Sequence, residues 1–257
     1  TLKPGGSSGL PVTNGLALWL DASQLTGLTN AQQVNTWADQ SRQSNHALRQ
    51  GGSSAGYPKY VTNQLNGKPV LRFNSGNGNT GDYLKFNRPS TIRTVFWVLK
   101  ESAGTSDGHF LLGDDGSYDF HRPSANGPLW EVANGWSSVN IRNGTTRLMG
   151  AAVDGTTTSL PASQFQMVSL VTAGNVQANQ ITQDRTYHGS WQSDIADTVI
   201  YTNALSSNDE AATGGYLAAK YNLSTTYPTY TLGGEGIASS LTNTVATGIA
   251  ATSGVLN

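Results

Sequence analysis

The side chains able to do acid–base work are few in this chain of 257 residues, and their spacing is informative. Glycan hydrolysis needs two carboxyl groups about 5–9 Å apart. A strand supplies such a pair when acidic residues occupy alternate positions on one face. The glutamates are Glu101, Glu131, Glu210 and Glu235, and none belongs to such a pattern. Ser207-Asn208-Asp209-Glu210 reads as a helix capping box, which accounts for Glu210. Asp194 and Asp197 are separated by an odd number of positions, so a regular strand sends them to opposite faces. This argues against a retaining glycanase. The histidines, at positions 46, 109, 121 and 188, form no H-x₃-H pair. Asp114-Asp115-Gly116 reads first as a turn and second as a loop for a structural calcium ion. There is no phosphate loop, no nucleophile elbow and no cysteine.

Aromatic residues carry the remaining chemistry. Trp130 and Trp136 flank the turn Ala133-Asn134-Gly135, close in sequence to Tyr118-Asp119-Phe120-His121-Arg122. A flat ring stacks on the apolar face of a sugar, and Asn or Arg side chains take its hydroxyls. The candidate ligand-binding set is therefore Tyr118, His121, Arg122, Trp130, Asn134 and Trp136. Trp19, Trp37 and Trp97 have apolar neighbours and are expected in the core; Trp191 fits core or rim.

The elements that would position these groups read as strands. Arg93–Lys100 is apolar on both faces and suits a central, covered strand. Leu16–Leu20 and Gln166–Thr172 are strongly apolar strands and Val70–Phe73 is a further strand, with others expected at His109–Gly113, Tyr118–His121, Trp130–Ala133, Val139–Arg142 and Arg147–Val153. Asn66-Gly67, Asn134-Gly135 and Asn143-Gly144 mark turns. Asp194–Tyr201 alternates with β-branched residues and leads into one short helix over about 208–220. Gly214-Gly215 inside that helix costs about 1 kcal/mol per residue relative to Ala, which makes sense if the helix lies close against a sheet. Charged residues make up 12% of the chain and the net charge is −1, which argues against nucleic acid and against a polybasic membrane surface. No apolar run reaches the ~20 residues of a membrane-spanning helix.

The run DIADTVIYTNALSSNDEAATGGYLAAKYNL, together with GLALWLDAS, VNTWADQSRQSNHALRQ, NGKPVLRFN and DYLKF, resembles the concanavalin A-like, laminin-G-like jelly-roll domains of bacterial secreted and surface proteins. The resemblance implies an all-β, two-sheet antiparallel jelly-roll sandwich over residues 15–223, between an N-terminal arm (1–14) and a low-complexity tail (224–257). It implies an extracellular or cell-surface location but not an activity, because the fold hosts many functions. The first expectation is a non-catalytic glycan-binding or adhesive module, without a cofactor beyond a structural calcium ion, whose partner is an extracellular polysaccharide. A self-assembling filament or sheath subunit is the second, with Leu2, Leu10, Ile237, Leu241, Val245 and Ile249 packing on other copies of the chain. The third is a polysaccharide lyase, since lyases on related folds use a His or Tyr proton acceptor beside an Arg or Gln. Tyr118, His121 and Arg122, joined by His109, Arg142 or His188, supply those types.

Overall fold

A computed structural model of the protein describes residues 9–50, 56–74, 81–103, 110–124, 127–183 and 191–232. The strands, in chain order, are β1 (Leu16–Asp21), β2 (Gln32–Gln33), β3 (Thr36–Trp37), β4 (Ala47–Arg49), β5 (Lys59–Leu65), β6 (Lys68–Phe73), β7 (Leu84–Lys85), β8 (Ile92–Glu101), β9 (Leu112–Gly113), β10 (Thr145–Leu148), β11 (Ala151–Val153), β12 (Phe165–Val176), β13 (Gln180–Ile181) and β14 (Ser193–Tyr201). Two α-helices accompany them, α1 (Val139–Arg142) and α2 (Ser207–Tyr221). Among the described residues the strands form two antiparallel sheets, a β-sandwich. The larger has nine strands in the order β11-β10-β12-β8-β14-β6-β5-β2, with β1 also on β14; the smaller runs β3-β4-β7-β13-β9.

The central strands of the larger sheet are buried on both faces, which is why β8 reads as a nearly continuous apolar run, whereas β14 is equally buried but carries Asp194 and Asp197. The sheet's inner face contributes Trp97, Leu99, Val168 and Ile195 to the core between the sheets, joined by Trp37, Leu112 and Ile181. Its outer face carries Trp19, Phe96, Val98, Val199 and Tyr201, and these pack with Leu205, Tyr216 and Leu217. Each such side chain contributes about 1.5–3 kcal/mol on burial.

β14 is the shared seam. It pairs with β8 along its whole length, with β6 over its first half and with β1 over its second. At the changeover the register slips between Ile195 and Asp197. This bulge corrects the simple alternation: Asp194, opposite Arg72 and Lys100, and Asp197, opposite Val98, both face outward.

Helix α2 starts one residue earlier than expected. Ser206 is the N-cap, its hydroxyl accepting from the Asp209 N–H and donating to the Asp209 carboxylate. Glu210 is thus free of the cap and binds Arg147 and Ser169. The glycines have another reason as well. A Cβ on Gly214 would lie 2.5 Å from the Tyr227 ring, and one on Gly215 would lie 2.6 Å from the Pro228 carbonyl oxygen. The close neighbour is the segment after the helix, which crosses over it rather than trailing away. Thr226 N–H donates to Met149 O, and Tyr227 Oη lies 2.7 Å from Ser169 Oγ. Residues 213–218 are consequently buried all round.

The described part of the N-terminal arm is also docked. Leu10 is buried with Trp19 and Tyr216, and Tyr201 Oη donates to Val12 O. Leu10 therefore packs on its own chain; Leu2, Ile237, Leu241, Val245 and Ile249 lie outside the described residues. Four strand expectations are corrected. Tyr118–His121 forms only isolated bridges at Phe120 and His121. Val139–Arg142 is a helical turn capped by Ser138. Trp130–Ala133 is a loop. Arg147–Val153 is split by Met149 and Gly150, both at positive φ, into the β10–β11 hairpin. Among the described residues no helix is long and apolar enough to cross a membrane.

Candidate functional site

Between β9 and α1 the chain forms bridges instead of long strands. Phe110 pairs with His121 and Phe120 with Ser137. Phe120 points into the core, edge-on to Trp97 at 6.1 Å and to Trp130 at 6.4 Å between ring centroids. That anchor turns its neighbours outward. Tyr118 and Trp136 are 39% and 43% exposed, with ring centroids 6.3 Å apart and planes inclined by only 32°. His121 lies behind them, 5.9 Å from Tyr118 and 5.0 Å from Trp136, and meets Phe110 edge-on at 4.7 Å. Tyr118 and Trp136 form a shelf on the surface, backed by the buried His121 ring.

Glu131 shapes the turn that presents Trp136. It is buried, and its carboxylate accepts from the N–H groups of Asn134 at 2.5 Å and Trp136 at 2.9 Å. Burial pushes this carboxyl upward, but the donated N–H groups of Asn134, Trp136 and Ser137, with His121 nearby, outweigh it and hold it below the usual range. Asn134 is exposed at the tip of the turn. On the same stretch Val132 and Val139 are exposed and line a cleft of about 690 Å³ with Arg142, Asn143, Asp154 and Thr156.

Of the six candidate ligand-binding residues, Tyr118, His121 and Trp136 come together, and Asn134 shares their turn. Trp130 does not join them. It is 1% exposed, in the core, with its indole N–H on Thr146 Oγ1. Arg122 does not either. It is fully buried, paired with Glu101 at 2.8 Å and donating to Gly127 O, while Trp191, also buried, donates to the same Glu101 carboxylate. Chain alternation explains the split: His121 and Arg122 are adjacent and point to opposite sides. Arg122 is thus the clamp that fixes the shelf's base, and it is withdrawn from any lyase role. His109 and His188 lie outside the described residues.

Asp114 and Asp115 are engaged by protein groups. Asp114 binds Arg88 at 2.6 Å and caps the Gly116 and Ser117 N–H groups. Asp115 binds Lys85, Asn179 and Gln180. Among the described residues no three His, Cys, Asp or Glu side chains converge as metal ligands.

A second polar centre, missed in the sequence, lies between the larger sheet and α2. Asp21 and Asp197 are cross-strand partners at the bulge. Lys220 Nζ lies 2.6 Å from an oxygen of each. Trp19 Nε1 donates to Asp197 Oδ1 at 2.8 Å, and Tyr221 Oη donates to Asp197 Oδ2 at 3.0 Å. Burial pushes the Asp197 carboxyl up to about 6, with Asp21 adding to the shift against the opposing pull of Lys220. The signal available in the sequence was the lysine on the apolar side of α2, flanked by Tyr216 and Tyr221.

Comparison with protein-family models finds no family that matches the chain, and comparison with curated proteins finds no match.

Proposed function

We propose that this protein is a non-catalytic, extracellular or cell-surface module of jelly-roll type that binds a polysaccharide through the Tyr118–Trp136 shelf. The observation carrying this reading is the pair of neighbouring exposed rings, with Trp136 presented by a turn that the buried Glu131 carboxylate binds. Exposed aromatic rings on a rigid support give stacking area without an ordering cost. The exposed amide of Asn134 supplies a hydroxyl partner beside them. The described glutamates favour binding over chemistry, because Glu101, Glu131 and Glu210 each serve a structural bond. The test is affinity electrophoresis and calorimetric titration across neutral and uronate-containing polysaccharides. Trp136→Ala and Tyr118→Ala should each weaken binding by about tenfold, equivalent to about 1.4 kcal/mol, with an unchanged circular dichroism spectrum. Unaltered affinity in the folded double variant would refute the shelf as the site.

A further inference from the structure

Lys220 is 8% exposed, and the two carboxylates it faces, Asp21 and Asp197, are buried at 1% and 0%. The ammonium lies over the Trp19 ring at 5.4 Å and the Tyr221 ring at 4.8 Å. Two features distinguish this centre from an ordinary ion pair. The carboxylates differ in their surroundings: Asp21 Oδ1 accepts from the Ser23 N–H and hydroxyl. Asp197 is held from both sides by neutral donors, Trp19 at Oδ1 and Tyr221 at Oδ2. The same nitrogen also reaches both, one as an electrophile and the other as a proton acceptor.

We propose that Lys220 and Asp197 condense to an intramolecular amide, a covalent tie between α2 and β14, with Asp21 carrying the proton. One ammonium proton passes from Nζ to Asp197 Oδ2, giving an amine and a carboxylic acid. The Nζ lone pair then forms a bond to Asp197 Cγ, and the carbonyl electron pair moves onto Oδ1, which faces the Trp19 indole N–H as an oxyanion-stabilising donor. Asp21 Oδ2 takes a second proton from Nζ and hands it to Asp197 Oδ2. The Cγ–Oδ2 bond breaks as the carbonyl reforms, and one water leaves with both protons. Asp21 ends as the carboxylate it began as, and the step consumes no oxidant or cofactor.

Three physical arguments favour the reaction. The fold holds amine and acid in contact, replacing a bimolecular encounter with a positioned one. Burial makes the acid form of Asp197 accessible near neutral pH. Condensation also replaces two desolvated ions with a neutral, hydrogen-bonding amide, relieving the penalty a buried ion pair carries.

The test is mass spectrometry of the purified, denatured wild-type protein, followed by protease mapping. The expected mass is that of the sequence less one water, with a branched peptide joining the segments around Asp197 and Lys220. Lys220→Met and Asp197→Ala should restore the full mass. Asp21→Asn, which retains both reacting groups, should slow the loss of water at least tenfold in protein whose fold is verified by circular dichroism. A folded wild-type protein of full mass after prolonged incubation at neutral pH overturns the proposal. So does a water loss that maps to cyclised Asp115-Gly116 or Asp154-Gly155 without a branched peptide.

Discussion

Adding one methyl group to α2 should have the opposite sign from that expected of an exposed helix. In a solvent-facing helix interior, Gly→Ala stabilises by about 1 kcal/mol. At Gly214 the new Cβ would stand 2.5 Å from Cε2 and 2.6 Å from Cζ of Tyr227. The ring cannot simply swing aside. Its hydroxyl lies 2.7 Å from Ser169, and the preceding Thr226 N–H is bonded to Met149 O. Overpacking of this kind costs about 1–3 kcal/mol, and a loosened Tyr227 hydrogen bond costs about 0.5–1.5 kcal/mol more. Set against the helical gain, Gly214→Ala should destabilise the protein by about 1–3 kcal/mol. Urea unfolding followed by circular dichroism would measure this, in a cycle with Tyr227→Ala. Once the ring is removed, the same Gly214→Ala change should become stabilising by about 1 kcal/mol. If Gly214→Ala stabilises the wild-type background, or if the two substitutions are additive, the close approach of residues 226–228 to the helix is wrong.

Other expectations follow from the buried and exposed members of the site. Arg122→Met strands the Glu101 carboxylate with only the Trp191 donor, and should cost about 3–5 kcal/mol in urea unfolding; Glu101→Met in the same chain should recover most of it. Trp130→Ala should cost about 3–5 kcal/mol, whereas Trp136→Ala should stay within about 0.5 kcal/mol of wild type, so thermal unfolding separates core from shelf. The Glu131 carboxyl titrates lower folded than unfolded. Its contribution is therefore complete above its ordinary 4.5 and is lost as pH falls through the folded value. Unfolding of wild type and Glu131→Gln between about pH 3 and pH 6 should converge at the acid end; curves that stay parallel would refute the Glu131 cap.

The sandwich was legible because β8 and β12 are covered on both faces and announce themselves as apolar runs, while β14 showed through its alternating β-branched residues. Asn66-Gly67 was legible as a turn because both residues tolerate the positive φ that they adopt. Met149-Gly150 was not, since methionine carries no turn signal and the β10–β11 hairpin imposes its conformation. Within the candidate site, Tyr118, His121 and Trp136 could be nominated from type and proximity. Trp130 and Arg122 could not be sorted from them, because that depends on which way Phe120 points. The bulge at Ala196 was invisible for a related reason: it arises where β6 yields to β1 on the flank of β14, a fact about pairing over long sequence distances. Without it, Asp197 would have been assigned to the wrong face, and its meeting with Asp21 and Lys220 would have gone unnoticed.

Tyr216 touches both extremities of the described chain. Its hydroxyl lies where a Cβ on Gly9 would come within 2.8 Å, and its ring meets Tyr230 edge-on at 5.6 Å between centroids. The described chain therefore brings Gly9 and Tyr230 to one tyrosine on the helix-covered side of the sandwich. Tension applied at Gly9 and Leu232 would first open this clasp around a single tyrosine and peel short segments from α2. The seams between β8, β12 and β14, and the aromatic shelf with them, would bear load only afterwards.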